Sequence, residues 1–348
     1  MAFGRELTGL TQDADGVTAQ FAAGAPVRAR YAVAADGGRS TVRRLLGIGM
    51  TGETVDPSPT LVADVRLAGL DRDRLHIFPP ADGEGFLAIW PLAGVEDFQL
   101  AANFEDPAAV PDLSLEGIRK LVATRTHLAA DAVTEVRWAS DFRPRAAMAD
   151  RFRAGRVFLA GDAAHVHSPA GGQGLNTSVQ DAYNLGWKLG AVIRDGVGEA
   201  LLDTYEEERL PVAAEVLGLS TRVHRGEVRR GTATQQLGVG YRGTSLAVET
   251  RSGLPADTLH AGDRAPDGRR GDERLFDAFR GPHWTLLAVG TEAELPELAL
   301  PTVRVPVPYE AYGTGVFLVR PDGYVGWAGA TADGLTAYTA RVIDAARP

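Results

Sequence analysis

The chain has 348 residues, 36 Lys and Arg against 45 Asp and Glu for a formal net charge of −9, and no cysteine. That acidity argues against a nucleic-acid face, and the lack of thiols excludes disulfides, thiolate metal sites and thiol catalysis. The 45% hydrophobic and 23% charged content is that of a globular protein; no apolar run is long enough to cross a bilayer and no signal-peptide core opens the chain, so the cytoplasm is the expected location.

"RELTGL", "GVTAQF" and "RARYAVAAD" read as three strands over residues 5–36, with "DADG" turning tightly between the first two. The third ends at Asp36-Gly37, and Ser40 is the expected N-cap of one or two helical turns in "STVRRLLGI". Over residues 55–105, "TLVADVRLAGL", "RLHIFPP", "GFLAIWPL" and "FQLAANF" alternate as antiparallel strands, punctuated by Pro79-Pro80 and Asp82-Gly83. "SLEGIRKLVATRT" predicts a helix capped by Ser114 with Leu115, Ile118 and Val122 on one face, and "AVTEVRWASDFRP" returns as a strand. This region reads as a sheet with one covered face, suited to forming one wall of a pocket. Phe86 and Trp90 are either core residues or substrate-facing ones.

The stretch "GRVFLAGDAAHVHSPAGGQGLN" follows. Its "RVFLAGD" fits a buried parallel strand ending in an acid, and the apolar residues at 175, 179, 182, 185, 189 and 193 predict a long amphipathic helix. "EALLDTYEEERLPVAAEVLGLSTRVHR" predicts a second long helical region, bent or broken near Pro211. Residues 226–258, rich in Gly, Thr and Ser, read as a connector. Beyond them "RLFDAF" is helical, "WTLLAVG" a strand, "GVFLVRPDGYVGWAG" a hairpin around Pro321-Asp322-Gly323, and a helix ends the chain; together they predict a small α/β domain.

A strand that ends in an acid beside a helix start suits a nucleotide-like ligand. The Asp162 carboxylate can accept hydrogen bonds from sugar hydroxyls, and free N–H groups at the helix start favour an anionic group by roughly 0.3–2 kcal/mol. Gly171, Gly172 and Gly174 allow close approach to the backbone and positive φ, while Gln173 and Asn176 add amides at the same rim.

"GRVFLAGDAAH" with "PAGGQGLN" resembles the second flavin-binding motif of the class A flavoprotein monooxygenases, the para-hydroxybenzoate hydroxylase family. "YAVAADGGRSTVRRLLGI" is similar to that family's Asp-Gly motif, and "QDAYNLGWKLGAVI" and "LLDTYEEERLPVA" continue the resemblance in order. "FLVRPDGYVGWAG" resembles the thioredoxin-like appendage of the polyketide and phenol hydroxylase branches, here without Cys-x-x-Cys. The resemblance implies an α/β fold: a Rossmann-like FAD-binding domain over 1–54 and 150–225, a substrate-binding β-sheet domain over 55–149, a connector over 226–258 and a thioredoxin-like domain over 259–348.

It further implies an FAD-dependent monooxygenase that hydroxylates a phenolic or polyketide-type aromatic substrate with NAD(P)H and O₂, as a monomer or homodimer and with no metal. The implied FAD-binding residues are Asp36, Gly37, Ser40, Arg43, Gly161, Asp162, Pro169, Gly171, Gly172, Gln173, Gly174, Leu175 and Asn176. Among them Asp162 would bond the ribityl chain, residues 171–176 would lie along the pyrimidine edge of the ring, and Pro169 would sit near its reactive face. Asp36 and its neighbours would help hold FAD and guide NAD(P)H. The family opens with a strand–turn–helix unit carrying G-x-G-x-x-G for the FAD pyrophosphate. That unit is expected to be missing here, which leaves a silent fragment, or one that needs a partner chain, as the alternative. His165 and His167 could pair on a metal or simply complete the flavin motif, and Arg145 could bridge to Asp150 or act near the flavin.

Overall fold

The computed structural model describes residues 1–80, 85–169 and 172–343; the expected Asp82-Gly83 turn and Gly171 lie outside the described residues. The chain forms two compact units, one of residues 1–51, 148–166 and 170–348 and one of residues 52–147 and 167–169.

In the first unit β1 (Leu7–Gln12), β2 (Val17–Phe21) and β3 (Val27–Ala29) make an antiparallel sheet in that order. The Asp13 carboxylate accepts from the amides of Asp15 and Gly16 and so closes the predicted turn. The third predicted strand is cut in two. Tyr31 turns inward, its ring 6.2 Å from that of Phe158 and its hydroxyl donating to Glu199 at 2.7 Å. The chain therefore leaves the first sheet, and β4 (Ala32–Ala34) joins another. Burial of one aromatic ring outweighs continued alternation at this point.

After β4 comes the short helix α1 (Thr41–Leu45), where Ser40 Oγ accepts from Arg43 N at 2.9 Å as the sequence predicts. The letters G-x-G-x-x-G do occur, at 47–52 and 238–243. The first set runs from the end of α1 into β5 (Met50–Thr54) and the second lies in a loop, so neither follows a strand and opens a helix.

The second unit holds β6 (Thr60–Leu67), β7 (His76–Phe78), β8 (Leu87–Pro91), β9 (Phe98–Asn103), α2 (Leu115–Arg125) and β10 (Val133–Phe142). Its antiparallel sheet has the order β10-β6-β9-β8-β7. Helix α2, capped by Ser114 on Gly117 N, buries Ile118 and Val122 against Leu61, Val65, Leu87, Ile89, Phe98 and Leu100 on one face of the sheet. Strands β5 and β11 (Arg145–Ala149) span points where the chain passes between the units.

Back in the first unit, β12 (Arg153–Ala154) folds onto β13 (Val157–Leu159), which is wholly buried and pairs in parallel with β4. This is the predicted buried strand. The chain continues through β14 (His165–Val166) to two long helices, α3 (Gly174–Arg194) and α4 (Thr204–His224). Helix α4 continues through Pro211 unbroken, because Tyr205, Glu208, Arg209, Val212, Ala213 and Val216 are buried on both sides of it.

Helix α3 corrects the predicted stripe. Of the six apolar positions, Leu185 is buried, while Leu175, Val179 and Ile193 are exposed at 76, 58 and 43%. The buried face carries Thr177, Asp181, Asn184, Trp187 and Lys188 instead. Those polar groups are buried because each finds a partner on α4 or further along the chain.

The remaining chain forms β15 (Val248–Glu249), β16 (Arg269–Arg270), β17 (Glu273–Arg274), α5 (Leu275–Ala278), β18 (Thr285–Val289), β19 (Thr302–Val305), β20 (Gly315–Val319), β21 (Val325–Gly329) and α6 (Leu335–Val342). A mixed sheet has the order β15-β21-β20-β18-β19, so part of the expected connector, β15, is a strand of this sheet. Its central strands are wholly buried. The β20–β21 hairpin carries Arg320 and Asp322 onto the helix pair. Arg320 donates to Glu208 at 2.5 and 2.9 Å and to Asp322 at 2.6 and 2.9 Å, Lys188 Nζ donates to Glu208 at 2.7 Å, and Trp187 Nε1 donates to Asp322 at 2.9 Å. Two cations and two anions thus neutralise one another out of water.

Candidate functional site

The two stretches singled out in the sequence meet in the first unit. Strand β13 ends at Leu159, and after Ala160 residues 161–163 make one tight 3₁₀ turn. Gly161 needs its positive φ of +60°, and a Cβ there would lie 3.2 Å from Ser178 on the second turn of α3. Ser178 Oγ donates to Gly174 O at the helix start. The turn that carries Asp162 is therefore packed against the opening of α3.

Asp181, buried on α3, fixes this turn from behind. Its Oδ2 accepts from Gly161 N at 3.0 Å and lies 2.5 Å from His165 Nε2, while Oδ1 accepts from Arg209 Nε on α4 at 2.8 Å. Burial alone would raise the Asp181 pKa, but His165 and Arg209 outweigh it and hold the carboxyl below the usual range. His165 is committed to this contact, and among the described residues no group of three or more His, Cys, Asp or Glu could hold a metal ion.

Asp162 differs from Asp181. Its side chain is exposed and accepts no hydrogen bond from a described residue. Partial desolvation raises its pKa, with His165 pulling the other way.

At the other motif, Asp36 Oδ2 accepts from Thr41 N at 2.8 Å and Val42 N at 3.1 Å, capping α1, while its Oδ1 has no partner among the described residues. Gly37 supplies a positive φ of +80°. Arg43 is buried, donating from Nη1 to Ala163 O at 2.8 Å and from Nη2 to Gly38 O at 2.9 Å, so one guanidinium ties the Asp36-Gly37 turn to the Gly161–Ala163 turn.

The start of α3 has no side-chain cap. Gly172 has φ +66°, and Leu175 and Asn176 are exposed beside Gly174. Gln173 does not add an amide to the rim. It is buried, donating to Thr234 O at 2.9 Å and accepting from Gln236 Nε2 at 2.6 Å. Pro169 is exposed and belongs to the second unit. Arg145 is exposed, and Asp150 takes Thr51 Oγ1 at 3.3 Å.

Sequence reasoning missed Asp181 and Arg209, the residues that set the turn. The available signal was polar spacing on α3: Thr177, Asp181, Asn184 and Lys188 recur every three or four residues, which is a helix face in itself.

Known proteins resemble this chain over most of its length. The FAD binding domain family matches residues 1–220 and the aromatic-ring hydroxylase C-terminal family matches residues 258–346. A flavin-dependent monooxygenase of Mycobacteroides abscessus is 48% identical over 98% of this chain and 73% of its own length. A rifampicin monooxygenase of Streptomyces venezuelae is 36% identical over 94% of this chain and 71% of its own length. Among solved structures, a ternary complex of aklavinone-11 hydroxylase with FAD and aklavinone superposes with a TM-score of 0.75 at 28% identity, covering 98% of this chain and 74% of that one. The chain belongs to the FAD-dependent aromatic-ring hydroxylases, a family of flavin monooxygenases.

Proposed function

We propose that this chain hydroxylates a multi-ring phenol, using FAD held between the Asp162 turn and the start of α3. When bound, FAD reduced by NAD(P)H supplies the oxygen-activating chemistry that puts one atom of O₂ on the aromatic ring. The donor set suits it. Asp162 offers an unshared carboxylate to the ribityl hydroxyls. The uncapped N–H groups of Gly174, Leu175 and Asn176, with the Asn176 amide, offer donors and a positive dipole end to the pyrimidine edge. Asp36 keeps one oxygen for the cofactor or for NAD(P)H, and Ser40 and Arg43 position its turn.

The observation that carries this reading is the pairing of a carboxylate that has no partner among the described residues with an uncapped helix of 21 residues, joined through Gly161 and Ser178. Asp181 and Arg43 keep the pair rigid, so donors and acceptors need no rearrangement when the ring binds. Supporting the substrate class, relatives at 34–36% identity are named for anhydrotetracycline, tetracenomycin A2, 6-methylpretetramide and rifampicin.

The test is turnover: flavin-loaded chain, NADPH, O₂ and a panel of multi-ring phenols, with products read by mass spectrometry. A product heavier than its parent by one oxygen supports the reading. Retained flavin that oxidises NADPH and transfers oxygen to none of the phenols would refute it.

A further inference from the structure

The segment that follows α4 is fastened to the mouth of α3 by a strained residue. Gln236 has φ +57° and is, among the described residues, the one non-glycine residue with a positive φ. Such a backbone persists where its surroundings over-determine it, and it clusters at functional sites. Glycine would adopt it without strain, and the same loop carries glycine at 231, 238 and 240. What the position keeps is therefore the glutamine side chain.

That side chain is buried and engaged at both of its polar atoms. Gln236 Nε2 donates to Gln173 Oε1 at 2.6 Å and to Thr177 Oγ1 at 3.1 Å, while its Oε1 accepts from Gln180 Nε2 at 2.7 Å. Gln173 Nε2 in turn donates to Thr234 O at 2.9 Å. Residues 232–235 form a tight 3₁₀ turn, closed by Gly231 N donating to Thr234 Oγ1 at 3.1 Å. Clamp and turn together fix where the chain just before them runs. Arg230 comes out at the mouth of α3: its Nη2 lies 3.9 Å from the point that a Cβ on Gly172 would occupy. The first turn of α3 carries no acidic side chain and no side-chain cap, so the guanidinium and the positive end of the helix act in the same direction.

We propose that Gln236 positions Arg230 at the mouth of α3, where the guanidinium favours the reduced, anionic form of a bound flavin over its oxidised, neutral form. The assignment rests on the flavin reading above. A hydride from NAD(P)H, two electrons and one proton, leaves the ring system with one negative charge and the nicotinamide oxidised. A cation at the mouth lowers the energy of that charged form and leaves the neutral one as it was. The interaction is thus spent on the redox step and not on holding the cofactor. Gln236 acts only through the arginine that it places.

The measurement is the reduction potential of the FAD-loaded chain, read against a reference dye during dithionite titration with NAD(P)H left out. Arg230→Gln should shift the reduced-to-oxidised ratio at fixed potential about tenfold toward the oxidised form, a drop of about 30 mV for a two-electron couple. Affinity for oxidised FAD should stay within error. Arg230→Lys should recover most of the shift. Gln236→Gly keeps the arginine and relieves the left-handed strain, yet should lower the potential as Arg230→Gln does, with circular dichroism showing an intact fold. Combining the two should add nothing further, because both remove one interaction. An unchanged potential in Arg230→Gln would overturn the proposal, and so would shifts that add in full. A variant with its potential intact but its preference between NADPH and NADH altered would assign the arginine to a co-substrate phosphate, which also overturns it. Failure of the functional reading is separable: a wild type that takes up no flavin sinks both, while one that holds flavin at the same potential as its variants sinks this proposal alone.

Discussion

Arg43 and Ala163 are 120 residues apart in the chain and joined by a 2.8 Å hydrogen bond from a buried guanidinium to a backbone carbonyl. With the second bond to Gly38, this contact holds the two flavin-motif turns in one rigid piece. Arg43→Met removes both donors and leaves two carbonyls unsatisfied, at a cost of about 3 kcal/mol. Urea titration should show that loss, and FAD affinity should fall at least tenfold. Arg43→Lys, able to reach one carbonyl, should fall in between.

Asp162 should act on the cofactor and not on the fold. Asp162→Ala removes a carboxylate that has no partner among the described residues, so the melting temperature of the apo chain should stay within error while FAD affinity drops tenfold or more. The raised carboxyl pKa gives a pH signature. In the apo chain the folded state holds the Asp162 proton more tightly than the unfolded state does. This contribution to stability is therefore fully present below the unfolded pKa and is lost as pH rises through the folded one. Flavin binding runs the opposite way, weakening as pH falls through that raised value. Asp162→Asn should flatten both trends, read by fluorescence titration between pH 4 and pH 8 (about the carboxylate-to-neutral span).

Gly161 combines a positive φ with a wall at 3.2 Å. Gly161→Ala forces a Cβ toward Ser178 in a left-handed backbone, for about 1–2 kcal/mol. Pairing it with Ser178→Gly should recover the steric part of the loss and none of the backbone part. Thermal unfolding of the single and double variants checks the split.

Glu208 anchors the hairpin of Arg320 and Asp322 to α3 and α4. Burial opposes its charge, but Arg320 and Lys188 outweigh that and hold the carboxyl at about 2; Lys188, pulled down by burial to about 8, is charged at neutral pH. The Glu208 contribution to stability is thus present above the ordinary carboxylate value and is lost as pH falls from about 4.5 toward about 2. Glu208→Gln leaves buried cations short of one charge and should destabilise the chain by about 3–5 kcal/mol near neutrality. The variant should also lose the acid-side slope in a denaturation series.

Local signals were the readable ones. Ser40 and Ser114 cap helices through bonds three residues ahead, and the apolar run 157–159 is buried as its composition implies. Asp162 and the helix beyond it could be read from the same short stretch. Tertiary partners were not legible. The buried side of α3 is polar because Arg209, Glu208 and Asp322 lie 20 or more residues away in sequence, and a stripe of Leu, Val and Ile cannot reveal them. Gln173 looked like a free rim amide because Thr234 and Gln236, which consume it, sit in a Gly- and Thr-rich loop without periodicity. Trp90 and Phe86 had two readings from alternation alone, and only strand register separated them from the core.

The central claim is that Asp162 and the mouth of α3 grip a flavin. Its most direct measurement is the visible spectrum of the purified chain after incubation with FAD and removal of the excess by gel filtration, run beside Asp162→Ala. The account predicts a yellow wild type with a perturbed flavin band and a variant that loses most of the colour at equal fold. A wild type that elutes colourless, or a variant that keeps its flavin undiminished, would contradict it.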